Sequence, residues 1–270
     1  MRAAVLGSPI AHSLSPVLHA AAYRELGLAD WSYSAIECDE AGLPALIAGC
    51  GPEWAGLSLT MPLKRAVLPL LRHTEPLAAA AGSANTVIFT PDGPHGYTTD
   101  VPGMVAALAS VGVTSAPGAT ILGAGATACA ALAALRELGL PEVVVLVRDQ
   151  ARAGDLLAAA SRLGIAVDLR PFSAELRSGD LLISTVPAGA ADIFAERPVE
   201  PLAGQLAVLD VVYHPWPTPL ALVAAKAGVP VASGFDLLLH QAAGQVELMT
   251  GHQAPLETMR EAGEATLASR

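Results

Sequence analysis

Ala119-Thr120-Ile121-Leu122-Gly123-Ala124-Gly125-Ala126-Thr127-Ala128 reads as an apolar strand running into a glycine turn and then a helix. The pattern Gly123-x-Gly125-x-x-Ala128 places backbone N–H groups and the positive end of a helix where a pyrophosphate would sit, with Ala124, Ala126 and Thr127 completing the cradle. The same spacing also fits a tight strand-to-helix turn in an α/β domain that binds no nucleotide, so the match is weak by itself. Its surroundings extend it. A helix is expected to Leu138, a strand over Glu142 to Val147, a helix to about Leu163, and strands near Asp180 to Ile183 and Leu206 to Leu209. Such alternation gives a parallel sheet with helices on its faces, and residues 101–233 are expected to form a Rossmann-like dinucleotide-binding domain.

The same alternation runs upstream. Arg2 to Leu6 reads as a strand, Pro16 to Leu26 as a helix with proline in its first turn and Gly27 at its end. A strand near Trp31 to Ile36, a helix near Glu40 to Ile47 and a strand near Gly56 to Leu59 follow, and Pro62 opens another helix. Asn85 to Phe89 with the turn Pro91-Asp92-Gly93-Pro94 suggests an edge hairpin. Phe235 to Met249 and Pro255 to Ala268 read as helices with no strand after them. They are expected to pack back on the first unit, so that 1–100 plus 234–270 form a second α/β domain, discontinuous in sequence.

Composition excludes several classes. With 270 residues, 53% of them hydrophobic, the chain has ample material for two α/β domains. A net charge of −10 and a pI near 5.1 argue against a nucleic-acid partner, which calls for a basic face. Cys38, Cys50 and Cys129 are odd in number and widely spaced, which fits a reducing cytoplasm better than a disulfide framework or a zinc site. The apolar run at the N-terminus ends at Gly7, too short for a signal peptide, and no stretch reaches the roughly 18 apolar residues of a membrane span. A small-molecule substrate is therefore expected. A homodimer is among the assemblies open to the chain.

Several polar residues stand where chemistry is possible. Lys64 follows Pro62 by two, in the first turn of a helix, where a cation opposes the helix dipole by about 0.3–1 kcal/mol. Asp100 ends Thr98-Thr99-Asp100 just before the helical segment Val101 to Ala109, a natural N-cap position. Taken singly, they read as a surface lysine and a cap. Together they suggest a lysine–aspartate couple for acid/base work. Ser13-Leu14-Ser15-Pro16 puts two hydroxyls ahead of a helix, where they either cap it or receive a carboxylate together with the helical N–H groups. Asn85, Thr86 and Gln241 lie at the edges of apolar segments and suit structural or functional roles equally. His12 and His19 lie seven apart with no acidic or cysteine partner at ligand spacing, so they are assigned to packing and no metal is expected.

The cofactor is read after the strand that ends at Val147. Arg148 and Arg152 suit a ribose 2′-phosphate, whose geometry a guanidinium matches, whereas the carboxylate of Asp149 suits a free 2′-hydroxyl. NADP and NAD both stay open on these residues, with Arg148 directly after the strand favouring NADP.

Seven ordered stretches are similar to one family. They are Gly7-Ser8-Pro9-Ile10-Ala11-His12-Ser13-Leu14-Ser15-Pro16, Ser58-Leu59-Thr60-Met61-Pro62-Leu63-Lys64, Gly82-Ser83-Ala84-Asn85-Thr86, Thr98-Thr99-Asp100, the glycine turn at Gly123, Tyr213 with Pro217-Thr218-Pro219-Leu220, and Gly234 through Gln241. Over its whole length the chain resembles the shikimate dehydrogenases. The resemblance implies NADP-linked, reversible reduction of 3-dehydroshikimate to shikimate on the route to chorismate and the aromatic amino acids. It implies Lys64 and Asp100 as catalytic residues, Ser13, Ser15 and Tyr213 on the substrate carboxylate, and Thr60, Lys64, Asn85, Asp100 and Gln241 around its hydroxyls. Gly123 to Thr127, Gly234, Arg148 and Arg152 would hold the cofactor.

Five positions depart from the family's common pattern or add to it. Ser58 stands where many members carry asparagine, Thr98 replaces the asparagine usual before Thr-Asp, Val147 precedes the clamp arginine, Asp149 follows it, and Asp236 adds a carboxylate. Two rival functions remain beside the main one: a quinate/shikimate dehydrogenase paralogue linked to NAD, and a catalytically silent NADP-binding regulator.

Overall fold

The computed structural model describes residues 1–197 and 199–270, which form two compact units. One comprises Met1–Asp100 with Leu238–Arg270, the other Val101–Leu237.

The first unit holds β1 (Arg2–Gly7), α1 (Ser15–Glu25), β2 (Ser32–Glu37), α2 (Leu43–Ala48), β3 (Trp54–Leu59), α3 (Leu63–Ala66), β4 (His73–Thr74), α4 (Pro76–Ala81), β5 (Thr86–Thr90) and β6 (Gly93–Tyr97). Helix α5 (Asp100–Ser110) begins at its last residue. The six strands form one sheet in the order β2-β1-β3-β5-β6-β4. β1 runs parallel to both β2 and β3, β5 antiparallel to β3 and β6, and β4 parallel to β6. β3 is buried along its whole length, as befits a central strand with covered faces. Leu6, Leu43, Leu57, Leu59, Leu63, Val67 and Val87 fill one core beside it.

The hairpin of β5 and β6 forms around Pro91-Asp92, but it is not the edge of the sheet. The two-residue strand β4 covers β6, pairing His73 with His95 and Thr74 with Gly96. So short a strand leaves no period-2 pattern to read.

The second unit continues through β7 (Ala119–Leu122), α6 (Ala126–Glu137), β8 (Glu142–Val147), α7 (Gly154–Leu163), β9 (Ala166–Pro171), β10 (Leu181–Ser184), α8 (Asp192–Ala195), α9 (Glu200–Ala203), β11 (Ala207–Asp210), α10 (Pro219–Lys226) and β12 (Val231–Ser233). Helix α11 (Gly234–Thr250) starts in this unit and continues in the first, to which α12 (Leu256–Ala268) also belongs, packed on α1. The sheet order is β12-β11-β10-β7-β8-β9, all parallel. In the sequence order of its own strands this is 6-5-4-1-2-3, the doubly wound dinucleotide-binding arrangement. β7, β10 and β11 are buried throughout because helices cover both faces.

Candidate active site and nucleotide turn

In the first unit the chain leaves β1 toward β2 on one side and later enters β3 on the other. The loops after β1 and β3 therefore diverge at a topological switch point, where open α/β sheets place their ligands. Two backbone bonds tie the loops together: Thr60 N–H donates to Leu6 O at 2.9 Å and Ser8 N–H to Met61 O at 3.0 Å. Ser13 and Ser15 follow β1; Thr60 and Lys64 follow β3.

Leu14, not a serine, stands at the N-cap of α1, with no side-chain cap bond. Ser13 Oγ accepts from Ser15 N–H at 3.2 Å, and Ser15 is buried while Ser13 is half-buried. The serine caps considered from sequence thus give way to a local turn. Pro62 likewise stands one place before the first helical residue, and α3 is a single turn. A dipole argument against a cation at Lys64 loses its footing in so short a helix.

Lys64 is not a surface lysine. Its Nζ donates to Asp100 Oδ2 at 2.5 Å, with the two side chains 16% and 7% exposed. Asp100, the first residue of α5, also accepts at Oδ1 from Asn85 Nδ2 at 2.9 Å. The sense of the Asn85 amide is fixed by its neighbours. Thr99 N–H, which can only donate, reaches Asn85 Oδ1 at 2.8 Å, so the NH2 group must face Asp100, Thr99 Oγ1 at 2.9 Å and Gln241 Oε1 at 3.1 Å. Gln241 in turn donates from Nε2 to Leu238 O at 2.9 Å. Lys64, Asn85, Asp100 and Gln241, separated by up to 177 positions in sequence (241 − 64), thus form one hydrogen-bonded group. Chemically this is a carboxylate held by two donors beside an ammonium with further N–H bonds to give to an oxygen.

In the second unit the switch point lies between β7 and β10. Gly123 has φ +103° and a side chain there would approach Thr185 Oγ1 at 2.9 Å and Val186 Cγ1 at 3.0 Å. Glycine is thus required both by conformation and by the close passage of the β10 loop. Thr185 Oγ1 donates to Leu122 O at 2.7 Å and fastens that passage. Gly125 stands at the N-cap of α6 with no side-chain cap bond and no atom within 4 Å of where its Cβ would be. The first-turn N–H groups therefore have an open approach, and the turn fits a dinucleotide phosphate.

After β8, Arg148 and Arg152 are exposed. Asp149 has a local partner: its Oδ1 accepts from Ala151 N–H at 3.0 Å, capping the short 3-10 turn Gln150–Ala153. Tyr213 is half-buried on the loop after β11. Asp210 anchors that loop, accepting from Val212 N–H at 3.2 Å and Thr218 Oγ1 at 2.7 Å, while Thr218 caps α10 through Ala221 N–H. Gly234 is buried, and a side chain there would overlap the Val211 carbonyl. Among the described residues no three His, Cys, Asp or Glu side chains gather as metal ligands.

Residues 5–87 match the family model "Shikimate dehydrogenase substrate binding domain" and residues 234–262 match "Shikimate 5'-dehydrogenase C-terminal domain". Shikimate dehydrogenase (NADP(+)) of Thermus thermophilus is 38% identical over 99% of both chains, and that of Halobacterium salinarum 39% identical over 97% of this chain and 98% of its own. The chain belongs to the shikimate dehydrogenase family.

Solved structures agree. Mycobacterium tuberculosis shikimate dehydrogenase superposes with a TM-score of 0.89 at 44% identity, covering 98% of this chain and 99% of its own. The Thermus thermophilus enzyme in complex with NADP(H) and shikimate gives 0.87 at 36% identity, covering 99% and 100%.

Three departures from the family pattern now have local explanations. Ser58 Oγ accepts from Tyr33 Oη at 2.6 Å and donates to Gln245 Oε1 at 2.8 Å, so tyrosine and glutamine side chains meet the shorter residue. Asp236 and Ser233 form a reciprocal cap on α11: Asp236 N–H donates to Ser233 Oγ and Ser233 N–H to Asp236 Oδ2, both at 3.1 Å. Asp149 is the cap described above. Thr98 is buried, and among the described residues its hydroxyl meets no hydrogen-bond partner. Sequence reasoning missed Tyr33, Ser58, Thr99 and Gln245 as parts of the polar group. Gln245 lies four after Gln241, on the same face of a helix, and that spacing was the available signal.

Proposed function

We propose that this chain is an NADP-dependent shikimate dehydrogenase, reversibly reducing 3-dehydroshikimate to shikimate on the route to chorismate. The observation that carries the reading is the Lys64–Asp100 pair, held by Asn85 in the unit whose family model is named for substrate binding. When bound, the reduced cofactor NADPH would supply the hydride in the reducing direction, and NADP+ would accept it in the other. The residues of the chain handle the proton. As negative charge builds on the substrate's carbonyl oxygen, Lys64 Nζ–H donates to it, and Asp100 keeps the ammonium in place. In the oxidising direction the hydroxyl proton passes the opposite way.

Ser13, Ser15 and Tyr213 would bind the substrate carboxylate, and Thr60, Asn85 and Gln241 its hydroxyls. Asn85 suits this role because its amide is already oriented by Thr99 N–H and loses little freedom on binding. Gly123 to Thr127 and Gly234 would line the cofactor site, and Arg148 and Arg152 would clamp the 2′-phosphate. The capping contact of Asp149 supports NADP over NAD, since one carboxylate oxygen is already used by the backbone. Three free thiols support a reducing compartment such as the cytoplasm.

The test is nicotinamide absorbance of the purified protein given shikimate or quinate with NADP or NAD. Fast shikimate-dependent reduction of NADP is expected. Preference for quinate and NAD would replace this reading with the paralogue, and NADP binding without turnover would replace it with the silent regulator.

A further inference from the structure

Behind the Lys64–Asp100 pair lies a buried chain of hydrogen bonds that runs from Tyr33 to Asp100. Tyr33 Oη donates to Ser58 Oγ, and Ser58 Oγ to Gln245 Oε1. Gln245 Nε2 then donates to Asn85 O at 3.2 Å and to Thr86 Oγ1 at 3.1 Å. Thr86 Oγ1 donates to Asn85 Oδ1 at 2.9 Å, and Asn85 Nδ2 to Asp100 Oδ1. Ser58, Asn85, Thr86 and Gln245 are each at most 3% exposed.

The direction of this chain is forced at two points by groups with only one role. Asn85 O can only accept, so Gln245 must turn its NH2 toward Asn85 and Thr86 and its carbonyl toward Ser58. Thr99 N–H can only donate, so Asn85 must turn its carbonyl inward and its NH2 toward Asp100. Thr86 connects the two amides. Accepting a hydrogen bond from Gln245 leaves its hydroxyl to donate to Asn85 Oδ1, which strengthens the Asn85 N–H facing the carboxylate.

We propose that Gln245 is a positioning residue of the reaction, acting through Thr86 and Asn85 to keep Asp100 correctly aimed beside Lys64. The inference rests on the reading of Lys64 and Asp100 as the acid/base pair. It also explains why Ser58 suffices where many relatives carry asparagine: the glutamine on α11 spans the distance the shorter residue leaves. Gly244 lets α11 come this close, since a side chain there would meet Thr99 Cγ2 at 3.2 Å.

The titratable groups around the chain are few. Lys64 faces Asp100 from α3. Tyr33 on β2, with His19 and Tyr23 on α1, faces Ser58 and Gln245, with Tyr33 stacked on His19 at 3.8 Å between ring centroids. Burial pushes both phenols well above their ordinary range and holds His19 down to about 3, the Gln245 side chain acting the opposite way on His19. All three are uncharged near neutrality.

The test is kcat and KM for shikimate oxidation by NADP, with thermal unfolding alongside, in the wild type, Gln245→Met, Thr86→Val and Thr86→Ser. Gln245→Met and Thr86→Val are each expected to lower kcat about five- to tenfold, with the shikimate KM within about threefold. Thr86→Ser, which keeps the hydroxyl, should behave as the wild type. A kcat within about twofold of the wild type in both Gln245→Met and Thr86→Val, or kcat losses that only follow lowered thermal stability, would overturn the proposal. Lys64→Met, run alongside, separates the two levels. If it is inactive while Gln245→Met is normal, only the role of Gln245 fails; if it is active, the acid/base reading fails first.

Discussion

Asn85 donates to Asp100 from the same amide whose oxygen is held by the Thr99 backbone N–H, at 2.9 and 2.8 Å. A carboxamide pinned in this way cannot flip without facing its oxygen to the carboxylate. The geometry of the Lys64–Asp100 pair is therefore set by the fold before any ligand arrives, and the reacting groups need little reorganisation.

Gly7 closes β1 where the β3 loop passes over it. A side chain there would overlap the Thr60 methyl and approach Met61 O at 2.9 Å. Gly7→Ala is expected to push Thr60 and the segment leading to Lys64 aside, raising the shikimate KM by about tenfold or more while NADP binding is unchanged. Steady-state kinetics with each substrate varied in turn checks this.

His19 gives an acid-side stability slope. Burial holds it to about 3 in the folded chain against about 6.5 when unfolded. Between those values the unfolded chain binds the extra proton, so this residue's contribution to stability is lost as pH falls from about 6.5 toward 3, by up to about 1.4 kcal/mol per pH unit. His19→Phe keeps a ring against Tyr33 and removes the proton site. Urea unfolding at a series of pH values should show a shallower acid-side loss in that variant than in the wild type.

Arg148 and Arg152 are exposed, and their proposed partner carries a charge that NAD lacks. Replacing both by alanine is expected to raise the NADP dissociation constant about 10- to 100-fold and change that for NAD less than about threefold. The difference should shrink as salt is added, because exposed pairs are screened. Fluorescence titration with the two nucleotides measures both.

The strands with buried, unbroken apolar runs were legible. Ala119–Leu122 and Glu142–Val147 were placed within a residue because their composition admits little else. Ala166–Pro171 was not, because it is the sheet edge, carrying Asp168 and Arg170 as a surface ion pair and ending in proline. Edge strands favour such residues, and they erase the pattern by which strands are found. Within the site, Lys64 and Asp100 were legible as a couple but not as a contact. Their meeting depends on where β3 and β6 end, and the contacts of Gln245 with Asn85 and Thr86 span 160 and 159 residues. Local spacing carries no information on either.

The most direct test of the central claim is turnover of Lys64→Met with shikimate and NADP, measured beside NADP binding and thermal unfolding of the same variant. The account predicts a loss in kcat of about 10²-fold or more with NADP affinity retained. Turnover within a few-fold of the wild type would contradict it.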